Sequence, residues 1–167
     1  GVCDVSGRCQ CNASYGGDGC ELRPRVNKIE PMNIATLGGG IALLGSGFGF
    51  ERVQVQIMVG ASTCTAPRWI SDSSIKCTVV AGYGSMMRVQ MRLEESMVAE
   101  IQGHAYLSYS APIVEAVSPT IVRVEGQNLS VFGSNFIPIE NAPRHATVGV
   151  TWCAFYWISD SHALIHV

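Results

Sequence analysis

Three stretches of this chain recur at a single offset. Ile29-Glu30-Pro31 returns as Val117-Ser118-Pro119, and Leu44-Gly45-Ser46-Gly47-Phe48 returns as Phe132-Gly133-Ser134-Asn135-Phe136, both displaced by 88 positions. Trp69-Ile70-Ser71-Asp72-Ser73 returns residue for residue as Trp157-Ile158-Ser159-Asp160-Ser161 at the same 88. A fourth match, Val59-Gly60 and Cys64 against Val148-Gly149 and Cys153, is displaced by 89. Self-similarity at a fixed spacing means one folding unit used more than once. In 167 residues that leaves room for two small domains and not one large one. The first copy runs over 23–111. The second occupies 112–167 and is incomplete, because counterparts of Met87–Leu93 and Ala105–Tyr109 would fall after Val167.

Within the first copy the pattern is that of strands. Val53-Gln54-Val55-Gln56-Ile57 and Met87-Arg88-Val89-Gln90-Met91-Arg92-Leu93 alternate apolar with polar residues, which buries one face of a strand and wets the other. Val26–Ile29, Ile41–Leu44, Ser74–Val79 and Ala105–Tyr109 are further short runs punctuated by glycine and proline. Strands of about 4–8 residues with turns between them predict an all-β sandwich of about seven strands over 25–110. Leu93–Ile101 is compatible with a short helix or with a long loop between strands.

The first 22 residues differ. Cys3, Cys9, Cys11 and Cys20 sit in a stretch with almost no apolar side chains. Nothing there offsets chain entropy by burial, so covalent links must hold it. The spacing C-x5-C-x1-C-x8-C suits disulfides in an oxidising compartment better than zinc, whose ligand pairs are spaced C-x2-C or C-x4-C. Two glycosylation sequons, Asn12-Ala13-Ser14 and Asn128-Leu129-Ser130, agree with an extracellular, secreted or cell-surface location. The sequence opens inside the cysteine-rich stretch without a leader, as a mature or truncated segment does. Its most apolar stretch, Ile34–Phe50, is too short and too rich in glycine to span a bilayer, so direct membrane insertion is not expected of it. Lys and Arg number 11 against 13 Asp and Glu, a net charge of −2. No basic stripe is present, which argues against nucleic acid.

These residues carry two resemblances. "CDVSGRCQCNASYGGDGCE" resembles the C-terminal half of an EGF-like domain. That resemblance implies a final Cys11–Cys20 bridge; Cys3 and Cys9 then bond to cysteines ahead of Gly1 or to each other. The repeats resemble IPT/TIG domains, the immunoglobulin-like fold of plexins and hepatocyte-growth-factor-type receptors. The resemblance rests on Pro24 to Pro31 followed by Gly39–Phe48, and on Pro112 to Pro119 followed by Gly126–Phe136. It implies a Cys64–Cys77 bridge between two strands, and a tandem joint at Tyr109-Ser110-Ala111-Pro112-Ile113. The fold expected is therefore an EGF-like fragment over 1–22 and tandem immunoglobulin-like sandwiches over 23–111 and 112–167, the second unfinished.

Candidate sites are few. Cys153 is odd, because the position of Cys77 is taken by Ile165 in the second copy. It pairs between molecules, pairs with chain outside this segment, or fills the core as a free thiol. Trp69 and Trp157 are either stacking aromatics or packing residues, and Asp72 and Asp160 read as turn caps. Glu94, Glu95 and Glu100 have no histidine or cysteine partner at useful spacing. His162 and His166, four apart on a strand, lie about 13 Å from each other, too far for one metal ion. No nucleophile with a base, no phosphate loop and no metal motif is present, so neither catalysis nor a cofactor is expected. The function implied is a spacing and adhesion module whose partners are proteins or neighbouring subunits. A ligand-binding receptor ectodomain and the non-catalytic arm of a large secreted enzyme are the alternatives. Ile121, Val131, Phe155 and Ile165 are expected to form the half-built core of the second copy.

Overall fold

The computed structural model describes residues 2–7, 9–10, 19–21, 23–49, 51, 54–93, 97–102, 105–122, 126–137 and 145–167. Every regular element among them is a β-strand. The chain divides into two compact units, one of residues 1–34, 39–80 and 84–108, the other of residues 35–38, 81–83 and 109–167.

The first unit opens with two short antiparallel strands, β1 (Val2–Cys3) and β2 (Cys9–Gln10), with Cys3 directly opposite Cys9 and bridged to it. The strands that follow are β3 (Arg25–Glu30), β4 (Asn33–Ile34), β5 (Gly39–Ser46), β6 (Val55–Val59) and β7 (Ser62–Thr63). After them come β8 (Thr65–Ser71), β9 (Ser74–Val79), β10 (Met87–Leu93), β11 (Met97–Val98), β12 (Glu100–Ile101) and β13 (Tyr106–Tyr109). They form two sheets, β12-β3-β5-β9-β8 and β4-β13-β10-β6-β7, with β11 hydrogen-bonded to β10. The alternation read from the sequence is the burial pattern observed. Ile75, Cys77 and Val79 are buried on β9 while Lys76 and Thr78 are exposed, and on β10 Val89, Met91 and Leu93 are buried while Arg88, Gln90 and Arg92 are exposed. Ile29, Leu43, Ile57, Met91 and Leu107 are wholly buried, each worth about 1.5–3 kcal/mol of hydrophobic free energy. The segment weighed between helix and loop, Leu93–Ile101, carries β11 and β12 instead; its residues 94–96 lie outside the described residues.

The second unit is one five-stranded sheet. Its strands are β14 (Ile113–Ser118), β15 (Asn128–Ser134), β16 (Ala146–Val148), β17 (Thr151–Ser159) and β18 (His162–His166), in the order β14-β15-β18-β17-β16. The repeat extends to its irregularities. A bulge between Val26 and Lys28 on β3 recurs between Val114 and Ala116 on β14, and one between Trp69 and Ser71 on β8 recurs between Trp157 and Ser159 on β17. Both X-Pro bonds in the repeated motif, Glu30-Pro31 and Ser118-Pro119, are cis. The repeated glycine has a steric reason. A Cβ at Gly45 would lie 1.8 Å from the Arg25 carbonyl oxygen, and one at Gly133 would lie 1.8 Å from that of Ile113. No side chain fits where two bulged strands approach so closely. Two residues on, Gly47 and Asn135 both hold positive φ, at 72° and 61°, which glycine and asparagine tolerate best.

Candidate functional site

A sheet apolar on one face must bury that face against another layer. In the first unit each of the two sheets supplies that layer for the other. In the second unit Leu129, Val131, Phe136, Ala163 and Ile165 form a buried cluster against which Cys153, Phe155 and Trp157 pack. Beside this cluster the sheet is open. A trough of about 680 Å³ runs along it, lined by Val114, Val117, Val122, Val148 and Phe155 among others. In the first unit the corresponding residues of β3, β5 and β9, among them Val26, Ile29, Ile41, Leu43 and Ile75, are buried.

Of the expected core residues, Val131 and Ile165 are buried and Phe155 is half-buried. Ile121 is a correction: it is 79% exposed. It lies in the turn after the cis proline, outside any strand, so the alternation that would point it inward does not reach it. The trough is lined by Val131, Phe155 and Ile165 and also by Val114, Val117 and Val122, which the sequence reading did not single out. The signal was available, since Val114 and Val117 lie in a motif equivalent to the one that buries Val26 and Ile29 in the first copy.

The remaining residues mostly serve the fold. Asp72 accepts hydrogen bonds from the Gly47 and Gly49 amides at 3.3 and 2.9 Å, so it caps the β5 exit loop and not its own turn. Its counterpart Asp160 accepts from Thr36 Oγ1 at 2.6 Å within the second unit. Trp157 Nε1 donates to the Phe136 carbonyl at 3.0 Å, whereas Trp69 Nε1 is buried without a partner. Glu100 pairs with Arg23 and Arg25; Glu94 and Glu95 lie outside the described residues. His162 stacks on Phe132, with ring centroids 4.7 Å apart, while His166 Nδ1 sits 2.8 Å from Asn128 Oδ1. Among the described residues no three His, Cys, Asp or Glu could hold one metal ion. No helix among them is long and apolar enough to cross a membrane.

Cys64 and Cys77 are bridged and buried. Cys77 belongs to β9, and the Cys64 amide donates to the carbonyl of Ile57 on β6, so the bond ties one sheet to the other. Cys20 is disulfide-bonded, while Cys11 lies outside the described residues, as does Asn12. Cys153 is a free, half-buried thiol. Asn128 is exposed at the start of β15.

The IPT/TIG domain model matches residues 24–109. Among solved structures, the chain is similar to two of the full extracellular region of plexin A4. One covers domains 1 to 10, with 19% identity, a TM-score of 0.42, and coverage of 84% of this chain and 12% of that one. The other, with domains 1 to 8, has 19% identity, a TM-score of 0.43, and coverage of 86% and 15%. A crystal structure with a xylogluco-oligosaccharide is 18% identical, with a TM-score of 0.37 and coverage of 85% and 34%. The chain therefore spans between 12% and 34% of the length of each of these proteins. No curated protein matches it.

Proposed function

The chain belongs to the IPT/TIG domain family through residues 24–109, and from that membership we propose that it is an extracellular spacing and adhesion module acting through protein–protein contacts. The domains in this reading are an EGF-like ending over 1–22, a complete IPT/TIG sandwich over 23–111 and a second, unfinished one over 112–167. Cys11–Cys20 closes the EGF-like ending, the Cys64–Cys77 bridge belongs to an oxidising compartment, and Asn12 and Asn128 are glycan acceptors.

The observation that carries the proposal is the open trough of the second unit. A layer that would face it has a template inside the chain. In the first unit the layer is built by β10 and β13, and β10 presents Val89, Met91 and Leu93 inward at every second residue. The trough suits strands of the same pattern, in further chain or in a neighbouring subunit, as an assembly contact. Cys153, a half-buried free thiol packed against the cluster, is the group that would bond across that junction.

The test is a photo-crosslinking residue in place of Val148, on the rim of the trough, in the protein displayed in its native setting. Mass spectrometry should find it joined to a segment with alternating apolar residues. Reaction with solvent alone would count against the proposal.

A further inference from the structure

The five-stranded sheet of the first unit carries charge that its repeat lacks. Strands β3, β5, β8 and β9 hold four cations, Arg25, Lys28, Arg68 and Lys76, and one anion, Glu30. Their counterparts β14, β15, β17 and β18 hold no Lys or Arg and one anion, Glu115. Arg25 pairs with Glu100 on β12, and Lys28 with Glu30. Arg68 and Lys76 are exposed and have no ion-pair partner among the described residues.

These two cations lie directly opposite each other across β8 and β9. They are eight positions apart in sequence, so no basic run announces them; the hairpin brings them together. Lys76 alternates with the buried Ile75 and Cys77, which places the pair on the outer face of the sheet. Like charges on facing positions cost stability. The fold does not impose that cost, because 88 residues on the same rung is Tyr156 opposite Leu164. An anion set between Arg68 and Lys76 turns their repulsion into two attractions, and the planar guanidinium can hold two of its oxygens at once.

We propose that this rung binds the sulfate groups of an anionic polysaccharide. A shallow groove passes over it, lined by Gly40, Ala42, Leu44, Ala66, Arg68 and Lys76 among others. None of its lining residues is aromatic, and its large apolar side chains, Ile41 and Leu44, are buried or half-buried. It therefore lacks the exposed anchors on which protein partners depend. The adjoining sheet edge does not invite an added peptide strand either. On β8 Pro67 has no amide to donate, Ala66 holds φ at 47°, and a bulge interrupts the pairing between Thr65 and Arg68, devices that blunt an edge. Recognition falls to the two cations, which suits a polymer that carries its charge on protruding sulfates. The choice of a polysaccharide over a nucleic acid rests on the extracellular reading above. The trough of the second unit has no part in it, so crosslinking at Val148 and binding at this rung fail separately.

Surface plasmon resonance of the full chain over immobilised heparin, the sulfated probe, tests the inference. Heparin should be bound at physiological salt, and more weakly as salt rises. Arg68→Tyr with Lys76→Leu installs the rung of the second copy and should weaken binding more than about tenfold, with the near-ultraviolet circular dichroism retained. Lys76→Gln alone, at an exposed position, should weaken it about threefold or more. Arg88→Gln with Arg92→Gln removes the same charge from exposed positions of β10 on the other sheet and should leave binding within about twofold of the wild type. A wild type that ignores heparin would overturn the proposal, as would binding unchanged in Lys76→Gln or equal losses in the two double variants. Polyglutamate or oligothymidine competing as well as free heparin would also overturn it, by assigning the rung to an acidic peptide or to a nucleic acid.

Discussion

Replacing Cys64 and Cys77 together by alanine removes the bond between the two sheets of the first unit. The bridged residues are 13 apart in sequence, and closing a loop of that size restricts the unfolded chain by about 3 kcal/mol in the chain-entropy model. Both side chains are nearly inaccessible, at 3% and 4% exposure, so the truncation also leaves small voids and adds to the loss. A total of about 3–4 kcal/mol is a large share of the ~5–15 kcal/mol that holds a domain folded. For a domain of this size it should lower the melting temperature by about 15–20 °C. Urea unfolding of the parent and the double variant measures the free energy, and its slope should rise as the unfolded ensemble expands. A loss below about 1 kcal/mol with an unchanged slope would refute the reasoning, because the bridge would then not be constraining the unfolded state.

Gly45→Ala places a Cβ against the Arg25 carbonyl and the Phe48 ring and should cost about 1–3 kcal/mol or more by urea unfolding. Gly133→Ala meets the same obstacle at Ile113 and should speed amide exchange on β14 and β15. Asp72→Ala leaves the Gly47 and Gly49 amides without their acceptor and should lower stability by about 1–2 kcal/mol, with the first unit's thermal transition as the readout. Trp157→Phe removes the bond to the Phe136 carbonyl and should cost the second unit about 0.5–1.5 kcal/mol, seen as faster exchange at Phe136 and its neighbours.

Much of the fold was legible because period-two alternation and strand burial are the same fact. The runs at 74–79 and 87–93 became β9 and β10 with the expected faces buried, and on β6 Ile57 is buried and Gln56 exposed; Val53 lies outside the described residues. The repeat offset carried further than the strands, to bulges and to the close approach at Gly45 and Gly133. Where sequence reasoning failed, alternation was missing or misleading. Met97–Val98 and Glu100–Ile101 are strands of two residues, too short for any period. Ile121 is apolar but lies in a turn. Residues 152–158 are apolar throughout, so no alternation distinguishes Phe155 and Trp157, which face the cluster, from Trp152 and Tyr156, which face away. The lining of the trough at Val114, Val117 and Val122 depended on the register of β14 across its bulge, which only the structure fixes.

Amide hydrogen exchange across the whole chain tests the central claim most directly, because both copies report in one molecule. The same strands are compared, Ile41–Leu43 and Ile75–Val79 in the first unit with Leu129–Val131 and Ala163–Ile165 in the second. If the second unit needs an outside layer, its amides exchange far faster than their counterparts in the isolated chain, and they slow when the covering strands are supplied. Equal, slow exchange in both copies of a monomeric chain would contradict the account, since the second sheet would then be stable with its face open to water.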